Sequence, residues 1–168
     1  MKTLYLLRHA KSSWDDPRLA DHERPLAPRG REAVRRLAKH MARAKLRPEL
    51  VLCSSAARAV ETYEALAGAL RGPEVSTEDG LYGAGTEDLL ARLRQVGEGV
   101  RSVMLVGHNP GLADLAAALA GSGEPADLGR LRDKLPTGAL AVLSFDGAWA
   151  ALRPGCASLE SLVVPRDL

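Results

Sequence analysis

Short apolar runs and amphipathic runs alternate along the chain, and this alternation constrains the fold more than any other feature of the sequence. Residues 3–7 (TLYLL), 49–55 (ELVLCSS) and 102–107 (SVMLVG) read as buried strands, and a brief strand opens the stretch EVSTEDGLYGAG at residues 74–85. Between them lie helical patterns. In PRGREAVRRLAKHMARAKL, Ala33, Leu37, Met41 and Ala44 return on one face and Pro28 suits a first turn. Ser54 or Ser55 can cap the helix AARAVETYEALAGALRG, which Gly72 and Pro73 end, and Thr86 can cap TEDLLARLRQVG. Pro110 suits the first turn of GLADLAAALAG. The stretch at residues 121–136 is the least regular. It reads as a long loop with room for one short helix, which would overhang whatever lies beside it. Asp146-Gly147 between two apolar runs is a hairpin signal.

Repeated strand-helix alternation predicts an α/β fold: a three-layer α/β/α sandwich with a mainly parallel central sheet and an antiparallel hairpin at one edge. No linker, repeat or low-complexity stretch divides the chain, so residues 1–168 are expected to form a single domain. In such sheets ligands bind beyond the carboxyl ends of the strands.

Composition excludes little but points consistently. Basic and acidic residues are interleaved and the net charge is +2, which argues against nucleic acid as a partner. The apolar run at the N-terminus is cut short at Arg8, and no stretch suits a membrane span, so a cytoplasmic protein without a membrane partner is expected. Cys53 and Cys156 are isolated and read as free thiols without a chemical role. The protein is expected to be a monomer.

Three of the strands end on unusual residues. Arg8 and His9 follow the first, Ser54, Ser55 and then Arg58 follow the second, and His108 follows SVMLVG. Each alone has an ordinary explanation as a surface cation or a turn histidine. Together they bring two guanidiniums and two imidazoles to the sheet edge where ligands bind, with no acidic residue inside those motifs. Guanidinium donors and a helix N-terminus suit a phosphate. Metal binding is disfavoured, because a catalytic zinc needs a third ligand and adjacent arginines repel a cation; His22 and His40 fall in a loop and on a polar helix face. A neutral imidazole can attack phosphorus, and positive neighbours would keep its lone pair available. These residues therefore permit a covalent phosphohistidine that water later hydrolyses.

The motifs RHAKSSW, RPLAPRGREA, SSAARAVETYEAL, VGHNPGL and LPTGALAVLSFDG resemble those of the histidine phosphatase superfamily, also called phosphoglycerate mutase-like. The family hallmark is Arg-His-Gly after the first strand. Here it stands as Arg8-His9-Ala10, similar to the SixA-type phosphohistidine phosphatases. The resemblance implies that His9 is the phosphorylated nucleophile, that Arg8, Arg58 and His108 surround the phosphate, and that no metal or organic cofactor takes part. It further suggests Lys11, Ser12 and Asn109 at the rim of the pocket. The proton donor of many relatives has no clear counterpart; Glu78 and Asp79 are the nearest candidates.

A missing acid suits an imidazole leaving group better than an alkoxide. The expected activity is thus dephosphorylation of phosphohistidine on a phosphotransfer or signalling protein. Two alternatives stay open. One is a phosphatase of small phosphomonoesters, such as sugar or nucleotide phosphates, with Glu78, Asp79 or a carboxylate of DDPRLADHE as acid. The other is a non-catalytic phosphate-binding interaction module.

Overall fold

The computed structural model describes residues Met1–Leu168. Seven strands form one sheet: β1 (Lys2–Arg8), β2 (Leu50–Ser54), β3 (Glu74–Glu78), β4 (Ser102–Gly107), β5 (Ala120–Gly123), β6 (Leu140–Phe145) and β7 (Ala157–Val163). Their spatial order is β3-β2-β4-β1-β6-β7-β5. The first four run parallel to one another, β6 pairs antiparallel with β1 and with β7, and β5 pairs parallel with β7. The helices are α1 (Pro28–Ala44), α2 (Ala57–Leu66), α3 (Thr86–Arg94), α4 (Gly111–Leu119) and α5 (Pro125–Asp133).

Strand pleating explains the three layers. Alternate side chains of a strand point to opposite faces, so Leu4 and Leu6 of β1 and Val103 and Leu105 of β4 enter the core shared with α3, α4 and α5. Tyr5, Leu7, Met104 and Val106 face the other way, against Val34, Leu37 and Met41 of α1 and Ala59 and Leu66 of α2. The buried stripe of α1 is therefore Gly30, Val34, Leu37 and Met41, whereas Ala33 is half-buried and Ala44 exposed. No helix is long and apolar enough to cross a membrane. Cys53 lies in the second core and burial pushes its thiol up to about 12, so it packs as a small apolar side chain rather than reacting.

Several local expectations need correction. The antiparallel hairpin sits one strand in from the edge, because β5 pairs outside it. Residues 121–136 are not mainly loop: they hold the end of β5 and then α5. AGSG has no apolar alternation to announce a strand; backbone pairing with β7 makes it one. The run after Asp146-Gly147 does not return as a strand. Trp149 instead starts a short 3-10 turn, buries its indole and donates from Nε1 to the carbonyl of Val100 at 2.7 Å, and the returning strand is β7. Neither Ser54, Ser55 nor Thr86 caps a helix with its side chain. Ala56 and Gly85 occupy the N-cap positions, Thr86 is the first helical residue, and Pro110 stands one residue before α4.

One close approach ties the fold to the site. A Cβ on Gly30 would lie 2.2 Å from the carbonyl oxygen of Lys11, so the first turn of α1 rests directly on the loop that follows β1. Gly30→Ala is expected to destabilise the protein by roughly 1–3 kcal/mol, the ordinary cost of overpacking. Urea unfolding checks this, and an unchanged midpoint would show that the contact is slack.

Candidate active site

Register delivers the site. Arg8 pairs with Gly107 across the parallel β1–β4 ladder, so the residues that follow these strands, His9 and His108, emerge side by side with ring centroids 5.1 Å apart. The backbone of His9 is pinned from two sides. Its N–H donates to the carbonyl of Gly107 at 3.0 Å, and the N–H of Gly138 donates to the carbonyl of His9 at 3.0 Å. Ala10 is fully buried and donates its N–H to Oγ1 of Thr62, whose hydroxyl donates to the carbonyl of Arg58 one turn earlier in α2. The first strand and the arginine helix are thereby locked together at the site.

A cavity of about 290 Å³ opens there, lined by Arg8, His9, Lys11, Ser12, Arg58, His108 and Asn109, and also by Trp14, Arg24 and Thr137. All seven residues singled out as phosphate-site candidates meet in this one space. Sequence reading missed the other three. Arg24 is buried; it donates to Oγ of Ser12 at 2.5 Å and to Oδ1 of Asp21 at 3.0 Å. Its guanidinium lies 3.2 Å from the centroid of the Trp14 ring, a cation–π contact that holds an exposed indole at the cavity mouth. Arg24 was visible within RPLAPRGREA, but a lone loop arginine carries no periodic or spacing signal.

The histidines are set differently from one another. Nδ1 of His9 lies 2.7 Å from the carbonyl oxygen of Ala10. A carbonyl can only accept, so Nδ1 carries the proton and the lone pair of the neutral ring sits on Nε2. Nε2 of His108 is 2.7 Å from Oγ of Ser54, while its Nδ1 is buried without a partner. Arg8 Nε and Asn109 Oδ1 are likewise buried and unpartnered, although Arg8 Nη1 and Asn109 Nδ2 both donate to the carbonyl of Leu135.

Both rings are held neutral. Burial lowers His9 from 6.5 to about 3, with His108, Arg58 and Arg8 adding smaller repulsions against the Ala10 hydrogen bond. His108 falls to about 4, again chiefly through burial and then Arg58. The expected charge effect on the nucleophile is present but secondary, and His108 is not partly protonated near neutral pH. A stability consequence follows. An unfolded histidine takes its proton near 6.5 and the folded His9 only near 3, so this stabilisation is complete above pH 6.5 and is lost as pH falls toward 3. Stability should fall by up to about 1.4 kcal/mol per pH unit from this ring alone. Urea titrations at pH 7, 5.5 and 4.5 should show a shallower slope for His9→Ala; an identical slope would contradict the assignment.

The carboxylates are placed unexpectedly. Glu78 is bound by both Arg92 Nε at 2.8 Å and Arg92 Nη2 at 2.9 Å, which holds it ionised, and neither Glu78 nor Asp79 lines the cavity. Asp21, from the DDPRLADHE loop, is the carboxylate that reaches the site residues. Its Oδ2 accepts from Arg58 Nη2 at 3.0 Å and from the Tyr82 hydroxyl at 2.5 Å, and its carbonyl accepts from Arg58 Nη1 at 2.8 Å. The Tyr82 hydrogen bond, then those of Arg58 and Arg24, push Asp21 far below the usual carboxylate range. Asp21 and Glu78 are thus held ionised near neutral pH, while Asp79 is exposed and does not line the cavity. His22 also belongs to this wall: its Nε2 lies 2.8 Å from Oγ of Ser55, and its ring meets Tyr82 edge-on.

Such an arrangement can hold a multiply charged oxyanion against guanidinium donors and present one unprotonated imidazole nitrogen to it. Comparison with known proteins agrees. The family profile of the histidine phosphatase superfamily (branch 1) matches residues 4–85, the part that carries Arg8, His9 and Arg58. An uncharacterized protein of Mycobacterium tuberculosis is 43% identical over 164 residues, covering 95% of this chain and all of that one. Two solved structures provisionally named phosphohistidine phosphatase SixA share the fold over 98% of this chain. The one from Agrobacterium tumefaciens is 34% identical with a TM-score of 0.84, covered over 98% of its length. The one from Nakamurella multipartitia is 32% identical, also at 0.84, covered over 96%. With its strand-end histidines, its sheet order and relatives of this identity along nearly its whole length, the chain belongs to the histidine phosphatase superfamily.

Proposed function

We propose that the protein is a phosphatase that passes a phosphoryl group through Nε2 of His9, and that its substrate is phosphohistidine on a phosphotransfer or signalling protein. The observation that carries this reading is the Nδ1 bond of His9 to the Ala10 carbonyl, which leaves Nε2 as the lone-pair nitrogen in a cavity lined by arginines. Arg58 has five N–H donors; two go to Asp21, which leaves three for phosphate oxygens. Arg8 adds its own fork from the opposite motif. In the first step Nε2 attacks phosphorus and the P–N bond of the substrate breaks, its electron pair going to the leaving imidazole, which takes a proton from water. In the second step water attacks the phosphoryl group on His9, the new P–N bond breaks, and inorganic phosphate leaves. The guanidiniums stabilise charge on the equatorial oxygens in both steps. An arriving phosphate dianion favours protonation of His108, which then adds a further donor.

Substrate class follows from the leaving group. Asp21, held ionised chiefly by the Tyr82 hydroxyl and then by Arg58 and Arg24, and Glu78, held ionised by Arg92, do not deliver a proton at neutral pH. An alkoxide needs such a proton and an imidazole far less. Exposed Trp14 at the mouth supports a protein rather than a metabolite as the bearer of the phosphate, since exposed tryptophans favour protein contacts. Turnover of a phosphohistidine protein against a panel of sugar and nucleotide phosphates tests this reading. The phosphoprotein should be preferred by at least about tenfold, which is 1.4 kcal/mol of discrimination. Efficient hydrolysis of the esters with the phosphoprotein ignored would overturn it.

A further inference from the structure

A second groove, of about 350 Å³, adjoins the active-site cavity and shares Lys11 and Thr137 with it. Its charged lining is wholly basic: Lys11, Arg29, Arg36 and Arg166. Arg29 and Arg36 lie seven residues apart on α1, two turns or about 10 Å along the helix. Arg166 comes from the 3-10 turn Pro165–Asp167, which packs on α1, and the contact of Gly30 with Lys11 brings the start of the helix against the active-site loop. No acidic residue falls in the first turn of α1.

These cations lack the partners that usually absorb surface charge. Glu32 is taken by Arg35 at 3.1 Å, and Asp167 by Arg130 at 2.8 Å, leaving Asp167 only a 4.0 Å approach to Arg166. Lys11, Arg29 and Arg36 form no ion pair, and Nε of Arg36 is buried without a hydrogen-bond partner. The pattern differs from the active-site cavity, where buried arginines converge on one small volume. Here Arg29 and Arg166 are exposed and the charges are spread along an open groove. Carboxylates distributed along a protein surface match that spacing; a single compact anion does not.

We propose that this groove docks an acidic segment of the protein whose phosphohistidine enters the active-site cavity, an inference that rests on the phosphatase reading above. Complementary charge of this kind acts mainly on encounter and selectivity, and it weakens with salt. Arg29→Glu/Arg36→Glu therefore lowers kcat/KM toward a phosphohistidine protein with an acidic surface at least tenfold at low salt, chiefly through KM, and flattens its salt dependence. Hydrolysis of free phosphoramidate, which is too small to reach the groove, stays within twofold and reports that the variant is folded. An equal loss with both substrates would place the groove inside the reaction site and overturn the proposal. So would unchanged turnover of the phosphoprotein.

Binding of a fluorescent peptide rich in Asp and Glu supplies a readout that does not need turnover. The wild-type protein should bind it in a salt-sensitive manner, and the double variant at least tenfold more weakly. If the wild type hydrolyses no phosphohistidine protein, the substrate reading fails on that result. The groove is then judged by the peptide alone, where absent binding or equal binding by both proteins overturns it.

Discussion

His9→Ala is expected to abolish turnover, with kcat falling by at least about 10⁴-fold, the scale on which loss of a covalent nucleophile is felt. The neighbouring imidazole cannot substitute. His108 is tied through Nε2 to Ser54, and its ring centroid lies 5.1 Å from that of His9, so its lone pair is not placed where that of His9 lies. The variant should still fold, because the chain at position 9 is held by its backbone bonds to Gly107 and Gly138 rather than by the ring. Steady-state kinetics together with circular dichroism check both halves. Retained turnover in a folded His9→Ala protein would remove His9 from the chemistry.

Arg58→Ala should lower kcat/KM by about 10³-fold, at the upper end of what loss of one charged donor costs. The reason lies in Asp21. In the native site its carboxylate is paired with Arg58 and is held far below the usual carboxylate range, chiefly by the Tyr82 hydroxyl. Removing the guanidinium removes phosphate donors and also leaves a carboxylate facing the anion. Asp21→Asn in the Arg58→Ala background should therefore recover roughly tenfold, a coupling expected for residues in direct contact. Arg58→Lys should recover little, since an ammonium cannot bridge Asp21 and a phosphate as a planar fork does. Additive effects of the two substitutions would show that Asp21 is a bystander.

The strand ends were the legible part of this site. Arg8, His9, Arg58 and His108 follow strands whose apolar runs are unmistakable, and parallel pairing alone brings them together. What sequence could not reveal depends on loop paths. Arg24 and Trp14 line the cavity, and Asp21 pairs with Arg58, because the loop between β1 and α1 folds back, with Ser12 bridging to Leu26. The sequence offers the DDPRLADHE loop as a source of a carboxylate without singling out Asp21, and no local pattern encodes the return. Strand β7 was hidden because ASLESLV is less apolar than the AWAAL that precedes it, and Trp149 turned out to fill the core from a turn. The sequence points to positive neighbours as what keeps the lone pair of the nucleophile available, whereas burial dominates at both histidines, and burial is a property of the packed fold.

The most direct test of the central claim is acid-labile label on His9. A reaction with phosphohistidine protein carrying labelled phosphate, quenched during turnover and digested, should yield alkali-stable, acid-labile label on the peptide containing His9 and none on the one containing His108. Label on His108, or full turnover with no covalent label at any time, would contradict the account.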